Sequence, residues 1–289
     1  MAENKDIDSI TGVETTGHEW DGIKELNNPL PKWWLYVLYA CIVWAFCYWI
    51  AMPAWPLVSS YTKGVLGYTN RTAVAASLER ASANQAAYRD AIRTKPLDEI
   101  LADPSLLEFA LAGGRASFGD NCAPCHGSGA QGFTGYPNLN DDDWLWGGTL
   151  DDIHHTINYG IRTDHEDTRV NDMPAFGRDE ILSREEIADV ADYVLSLSGQ
   201  TENPEAVERG AQIFEDNCVA CHGEGGTGIQ ELGAPNLANG LWLYGGDRAD
   251  VIDSISNSRR GVMPHWIDRL DENTIKQLVI YVHSLGGGQ

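Results

Sequence analysis

Cys122-Ala-Pro-Cys125-His126 recurs later in the chain as Cys218-Val-Ala-Cys221-His222. Two cysteines spaced by two residues, with histidine immediately after, form the attachment signature of c-type haem. The two thiols add to the two vinyl groups on one edge of the porphyrin. The histidine that follows then lies under the iron as an axial ligand. A single Cys-x-x-Cys would also suit a dithiol redox pair or half of a zinc site. Two copies, each with histidine in the same next position, select covalent haem. The expected cofactors are therefore two haem c groups, held by Cys122 and Cys125 and by Cys218 and Cys221. His126 and His222 are the expected proximal ligands.

The chain around the motifs repeats as well. Gly114-Arg-Ala-Ser-Phe118-Gly-Asp-Asn-Cys122 aligns with Gly210-Ala-Gln-Ile-Phe214-Glu-Asp-Asn-Cys218 at an offset of 96. Pro137-Asn138-Leu139 aligns with Pro235-Asn236-Leu237, and Trp144-Leu-Trp-Gly147-Gly148 with Trp242-Leu-Tyr-Gly245-Gly246, at an offset of 98. Self-similarity of this kind implies two units of one fold. Asp103-Pro104 and Asn203-Pro204 read as a helix cap followed by an N1 proline. Ser183 with Glu186 reads as a capping box, opening a helix with Ile187, Val190, Ala191 and Val194 on one face and Gly199 at its end. Asp271 is expected to cap a second such helix, with Ile275, Leu278, Val279, Val282 and Leu285 on one face. In each unit the first and last helices are expected to pack together, with haem held among the loops. Residues 103–199 and 203–289 are the two expected units, joined by a short polar linker at Gly199–Asn203.

Beyond the initiator and Met52, the methionines are Met173 and Met263, one after each haem motif and each followed by proline. A thioether over the distal face of its own motif's haem, Met173 with His126 and Met263 with His222 in chain order, would complete the iron coordination and raise its potential relative to two histidines. Core filling is the plainer role for methionine, and His154, His155, His165 and His265 are rival ligands. His18 and His283 are expected to be solvated. The carbonyls of Pro137 and Pro235 are placed to accept the proximal histidine N–H, which orients the ring. Trp144, Trp146, Trp242 and Tyr244 suit either the haem edge or ordinary packing. Arg162, Arg259 and Arg260 suit haem propionates or an exposed surface.

Ahead of these units lies a polar segment of 32 residues with seven acidic side chains against three lysines. An uncharged apolar stretch then runs over residues 33–58, long enough to cross a bilayer core of about 30 Å as a helix. Trp33, Trp34 and Tyr36 at one end, and Trp49 and Trp55 near the other, resemble interfacial belts. Pro53 and Pro56 are expected to end or kink the helix. The acidic leader lacks the basic start of a secretory signal, so an uncleaved anchor is expected. Flanking lysines and arginines balance across it. Because bacterial haem c is attached outside the cytoplasmic membrane, the expected topology puts residues 1–32 in the cytoplasm and the haem units in the periplasm. Residues 59–102 read as a connector at the membrane surface or against another subunit, with an exposed helix over 73–92. The fold class is thus mainly α: one transmembrane helix, then two tandem cytochrome c-like domains.

Net charge is −22. Such acidity disfavours nucleic acid and anionic lipid and suits a basic protein partner.

The whole chain resembles the dihaem cytochrome c subunit (subunit III) of cbb3-type cytochrome c oxidases. The resemblance is carried by Gly17-His-Glu-Trp-Asp-Gly-Ile-Lys-Glu-Leu-Asn-Asn-Pro-Leu-Pro-Lys-Trp-Trp34 and by Lys63-Gly-Val-Leu-Gly67. It continues through Gly113-Gly-Arg-Ala-Ser-Phe-Gly-Asp-Asn-Cys122, Pro137-Asn-Leu and Asp143-Trp-Leu-Trp-Gly-Gly148. It implies a subunit that is no enzyme alone. Electrons from a donor cytochrome c would pass to a monohaem subunit and on to a haem–copper centre that reduces oxygen and pumps protons. The residues also suit two other functions: a membrane-anchored dihaem carrier serving another reductase or dehydrogenase, and a dihaem peroxidase. The peroxidase needs an open iron position, which methionine in both sixth positions argues against.

Overall fold

The computed structural model describes residues 6–200 and 203–286. Thr201 and Glu202, inside the expected linker, lie outside the described residues. Two compact units emerge, residues 1–84 and 85–289.

In the first unit, β1 (Thr15–Trp20) and β2 (Ile23–Leu26) form an antiparallel hairpin. The sequence reading passed over it, although Asp21-Gly22 is a hairpin-turn dipeptide. Both turn residues have positive φ, 48° and 82°, as a type I′ turn requires. Helix α1 (Lys32–Ala51) follows and buries none of its residues. It is long and apolar enough to cross a membrane. The helix stops at Ala51, short of the expected end at residue 58, because Pro53 disfavours helical backbone at Met52, which is extended. The chain then folds back: Val65 and Leu66 N–H donate to the carbonyls of Ile50 and Ala51 at 2.9 and 3.0 Å. Those last-turn carbonyls would otherwise be unsatisfied. Helix α2 (Asn70–Thr94) is exposed along most of its length, as expected for the connector, and only Ile92 is buried.

The second unit contains α3 (Leu97–Ala102), α4 (Pro104–Asn121), α5 (Ala123–His126), α6 (Leu150–Tyr159), α7 (Arg184–Leu197), α8 (Pro204–Asn217), α9 (Val219–His222), α10 (Arg248–Asn257) and α11 (Glu272–His283). The caps are those expected. Asp103 Oδ1 accepts from Ser105 and Leu106 N–H, Asn203 Oδ1 from Ala206 N–H, and Asp271 Oδ1 from Thr274 N–H. Ser183 and Glu186 form the reciprocal capping box. Gly199, at φ 79°, follows the end of α7.

The helix pairing differs from the one expected. The first and last helices of each repeat do not pack together. Instead α4 packs against α11, and α7 against α8. One core gathers Leu106, Ala110 and Phe118 of α4, Ile153 and Ile157 of α6, and Ile275, Leu278, Val279 and Val282 of α11. The other gathers Ile187, Val190 and Val194 of α7, Phe214 of α8, and Val251 and Ile255 of α10. We call these the first and second lobes, after the haem motif each contains. The closing helices are thus exchanged between repeats. The second lobe is a continuous stretch inserted between α6 and α11 of the first.

The physical reason lies in chain connection. Only a few residues separate α7 from α8, and a short link favours an antiparallel helical hairpin. The apolar stripes of α7 and α11 are alike, so either could cover either core. Bidentate Arg209–Asp189 bonds of 2.7 Å join α8 to α7, and Arg248–Asp192 bonds of 2.6 and 2.9 Å join α10 to α7. In the first lobe Lys276 Nζ on α11 donates to the carbonyls of Arg93 and Lys95 at 3.0 Å, fixing the end of α2.

Candidate haem-attachment sites

Each Cys-x-x-Cys-His motif forms one helical turn directly after a longer helix, α5 after α4 and α9 after α8. Cys122 and Cys218 cap these turns and face their lobe's core, while Cys125 is exposed and Cys221 half-buried. Among the described residues all six cysteines are free thiols. Burial pushes the Cys122 and Cys218 thiols up to about 11, with the neighbouring cysteine adding to the shift. Both are therefore held as neutral thiols near pH 7.

The proximal histidines sit in matching geometry. His126 Nδ1 donates to the Pro137 carbonyl at 3.1 Å, and His222 Nδ1 to the Pro235 carbonyl at 3.1 Å. A carbonyl can only accept, so Nδ1 carries the proton and Nε2 keeps its lone pair for a metal. Burial lowers the pKa of both rings, opposed in part by that same hydrogen bond. Each is thus neutral near pH 7, as a ligand must be.

The methionines are exchanged along with the helices. Met263 packs against the first core, which includes Cys122 and Ala123. Met173 packs against the second, with Cys218 and Val219. Each therefore faces the haem motif of the other repeat, contrary to the chain-order pairing. Reciprocal backbone bonds hold Met263 to Ile161 at 2.9 and 3.1 Å, and the Met173 carbonyl accepts from Ser258 Oγ.

The rival histidines have other partners. His154 Nε2 pairs with Asn158 Nδ2 and His155 Nε2 with the Asp167 carbonyl, at 3.0 and 3.1 Å. His165 Nδ1 accepts from Asp167 N–H, and His265 lies between Asp164 and Asp268. His18 is exposed, as expected, whereas His283 is half-buried on α11. Arg162 and Arg260 both bind Asp172, and Arg162 also reaches the carbonyls of Asn171 and Gly261. Arg259 is spread over Tyr244, at 5.2 Å from the ring centre, and donates to Ser254 and the Asp250 carbonyl. Arg169, which the sequence reading missed, does the same in the first repeat. It stands 5.4 Å from the Trp146 ring and bonds Thr156 and Asp152. Its signal was positional: Thr156 and Asp152 are the repeat counterparts of Ser254 and Asp250.

The residues present fit haem. Two thiols, an imidazole nitrogen and a thioether converge on each lobe. In the second lobe the buried Trp242 indole N–H has no acceptor in the protein, and a haem carboxylate would satisfy it.

Comparison with known proteins agrees. Residues 12–59 match the N-terminal domain of cytochrome oxidase-cbb3, FixP, and residues 109–194 and 205–282 match cytochrome c oxidase, cbb3-type, subunit III. The chain belongs to the cbb3-type cytochrome c oxidase subunit III family. The cbb3-type cytochrome c oxidase subunit CcoP of Azospirillum sp. (strain B510) is 53% identical, covering 100% of both chains. Subunit FixP of Azorhizobium caulinodans is 55% identical, over 98% of this chain and 96% of that one. Subunit FixP of Bradyrhizobium diazoefficiens is 54% identical over 100% of both. Membership of this family accounts for the cytochrome c domains, their haem c chemistry and the single N-terminal apolar helix.

Proposed function

We propose that the chain is the dihaem electron-transfer subunit of a membrane cbb3-type cytochrome c oxidase, with no catalysis of its own. The carrying observation is the repeated convergence of a Cys-x-x-Cys-His turn, a carbonyl-bonded imidazole and a methionine on one core. Haem c, when bound, supplies a one-electron ferric–ferrous couple. Cys122 and Cys125 would hold one haem, Cys218 and Cys221 the other. His126 with Met263 would ligate the first iron, and His222 with Met173 the second. An iron held by two protein ligands would offer no position for substrate, which suits relay rather than chemistry. The Pro137 and Pro235 carbonyls hold each imidazole in place and raise its basicity.

Electrons enter from a donor cytochrome c with a basic docking face and leave toward the monohaem subunit and the haem–copper subunit. Helix α1 anchors the chain in the bacterial inner membrane, with the N-terminus cytoplasmic and both lobes periplasmic. The test is purification from native membranes in mild detergent. Haem b, copper and oxygen uptake should co-elute with the chain. Elution with haem c alone, in detergent that keeps membrane complexes intact, would instead support the free-standing anchored carrier.

A further inference from the structure

The two lobes meet through a reciprocal contact. In the first repeat, Trp146 is buried and held by its own lobe's Arg169, which is bonded to α6. Its indole lies against Gly233 of the second repeat: a Cβ on that glycine would stand 2.1 Å from Trp146 Cε2. In the second repeat, Tyr244 is held by its own lobe's Arg259, bonded to α10. Its ring lies against Gly135 of the first repeat, 3.5 Å from where a Cβ would be. Gly135 and Gly233 are repeat counterparts, as are Trp146 and Tyr244.

Both glycines lie two residues before the proline whose carbonyl accepts a proximal N–H. The turns carrying them are tight. Ile229 and Ala234 exchange two backbone bonds of 3.1 Å across Gly233, and Phe133 and Tyr136 exchange bonds of 3.0 and 2.8 Å across Gly135. Further bonds join the two repeats here: Gly135 N–H to Leu243 carbonyl at 2.7 Å, Asn171 Nδ2 to Leu232 carbonyl at 2.7 Å, and Asn239 Nδ2 to Asp143 at 3.0 Å. Trp146 therefore presses on the short segment that sets the imidazole hydrogen bond of the second lobe, and Tyr244 lies beside the corresponding segment of the first.

We propose that Trp146 and Tyr244 are positioning residues that couple the two haem lobes, each setting the proximal histidine geometry, and so the haem potential, of the opposite lobe. A proximal N–H donated to a carbonyl makes the imidazole a stronger electron donor and lowers the potential. Removing the ring lets the glycine turn relax and weakens that bond, so the potential of the opposite haem rises. The Trp146 contact is the tighter, so the second lobe is the more dependent.

This rests on the reading that both motifs carry haem c, and covalent haem counted by mass on each variant tests that reading separately. Potentiometric titration of full-length Trp146→Leu, with both haems attached, should show the potential of the haem on Cys218 and Cys221 shifted upward, with the haem on Cys122 and Cys125 unmoved. Tyr244→Leu should give the mirror result with a smaller shift. Trp146→Phe, which keeps a ring against Gly233, should restore most of the native value. A Trp146→Leu shift confined to the haem of its own repeat, or no shift at either, overturns the proposal. If Trp146→Leu fails to fold, Tyr244→Leu carries the test: an unmoved potential at the haem on Cys122 and Cys125 overturns the proposal.

Discussion

Gly114 of α4 lies so close to the backbone of Gln277 on α11 that a Cβ there would stand 2.2 Å from the Gln277 carbonyl oxygen. Gly210, its counterpart on α8, meets Asp189 of α7 in the same way, at 2.1 Å. Behind each glycine an aromatic pair closes the crossing: Phe118 with Tyr281 at 5.4 Å, and Phe214 with Tyr193 at 5.1 Å. The same helix crossing is thus built twice, once between helices distant in sequence and once between neighbours.

Alanine at either glycine should be destabilising, although alanine is the better helix former by roughly 1 kcal/mol. The obstacle is backbone, so the helices must separate, at a cost of about 1–3 kcal/mol. Thermal unfolding of each variant measures it. Hydrogen exchange should place the loosening in α4 and α11 for Gly114→Ala, and in α7 and α8 for Gly210→Ala.

The exchanged methionines make a prediction that chain order would invert. Met263→His should lower the potential of the haem on Cys122 and Cys125, and Met173→His that of the haem on Cys218 and Cys221, since thioether ligation holds the potential up. The low-spin EPR signal of bis-histidine iron created by Met263→His should vanish when Cys122 and Cys125 are also replaced by alanine. It should survive replacement of Cys218 and Cys221. The reverse pattern would restore the chain-order pairing.

The capping box of α7 should be visible in acid titration. Hydrogen bonds from the Ser183 backbone and hydroxyl hold the Glu186 carboxyl below its ordinary pKa. A carboxylate depressed in the folded state binds protons less readily than in the unfolded chain. Its contribution is therefore complete above the ordinary glutamate range, near pH 4.3, and is lost as pH falls through the lowered value. Carboxyl NMR should report a depressed Glu186, and Ser183→Ala should move it toward the ordinary value.

Salt should slow electron entry from a basic donor cytochrome. At a net charge of −22, attraction steers the encounter, and exposed charges are screened beyond about 8 Å at physiological ionic strength. Stopped-flow rates should fall steeply as salt is added. Rates indifferent to salt would leave the acidity a matter of solubility.

The local features were legible because they are local. The motifs at Cys122 and Cys218, the helix caps at Asp103, Asn203, Ser183 and Asp271, and the apolar α1 each rest on residues a few positions apart. So does the bond from each proximal histidine to Pro137 or Pro235, since its turn lies within one loop. The hairpin at Asp21-Gly22 is equally local, a turn dipeptide with positive φ at both positions. What the sequence by itself determined, then, is the kind of site, its number of copies and the elements that frame it. Only the tertiary structure decided which closing helix and which methionine pack against each core. Two repeats with matching apolar stripes present matching surfaces, so pattern alone leaves the partner open. The short passage from α7 to α8 selects the hairpin, and the last helix is left to return across the chain to α4, carrying Met263 with it.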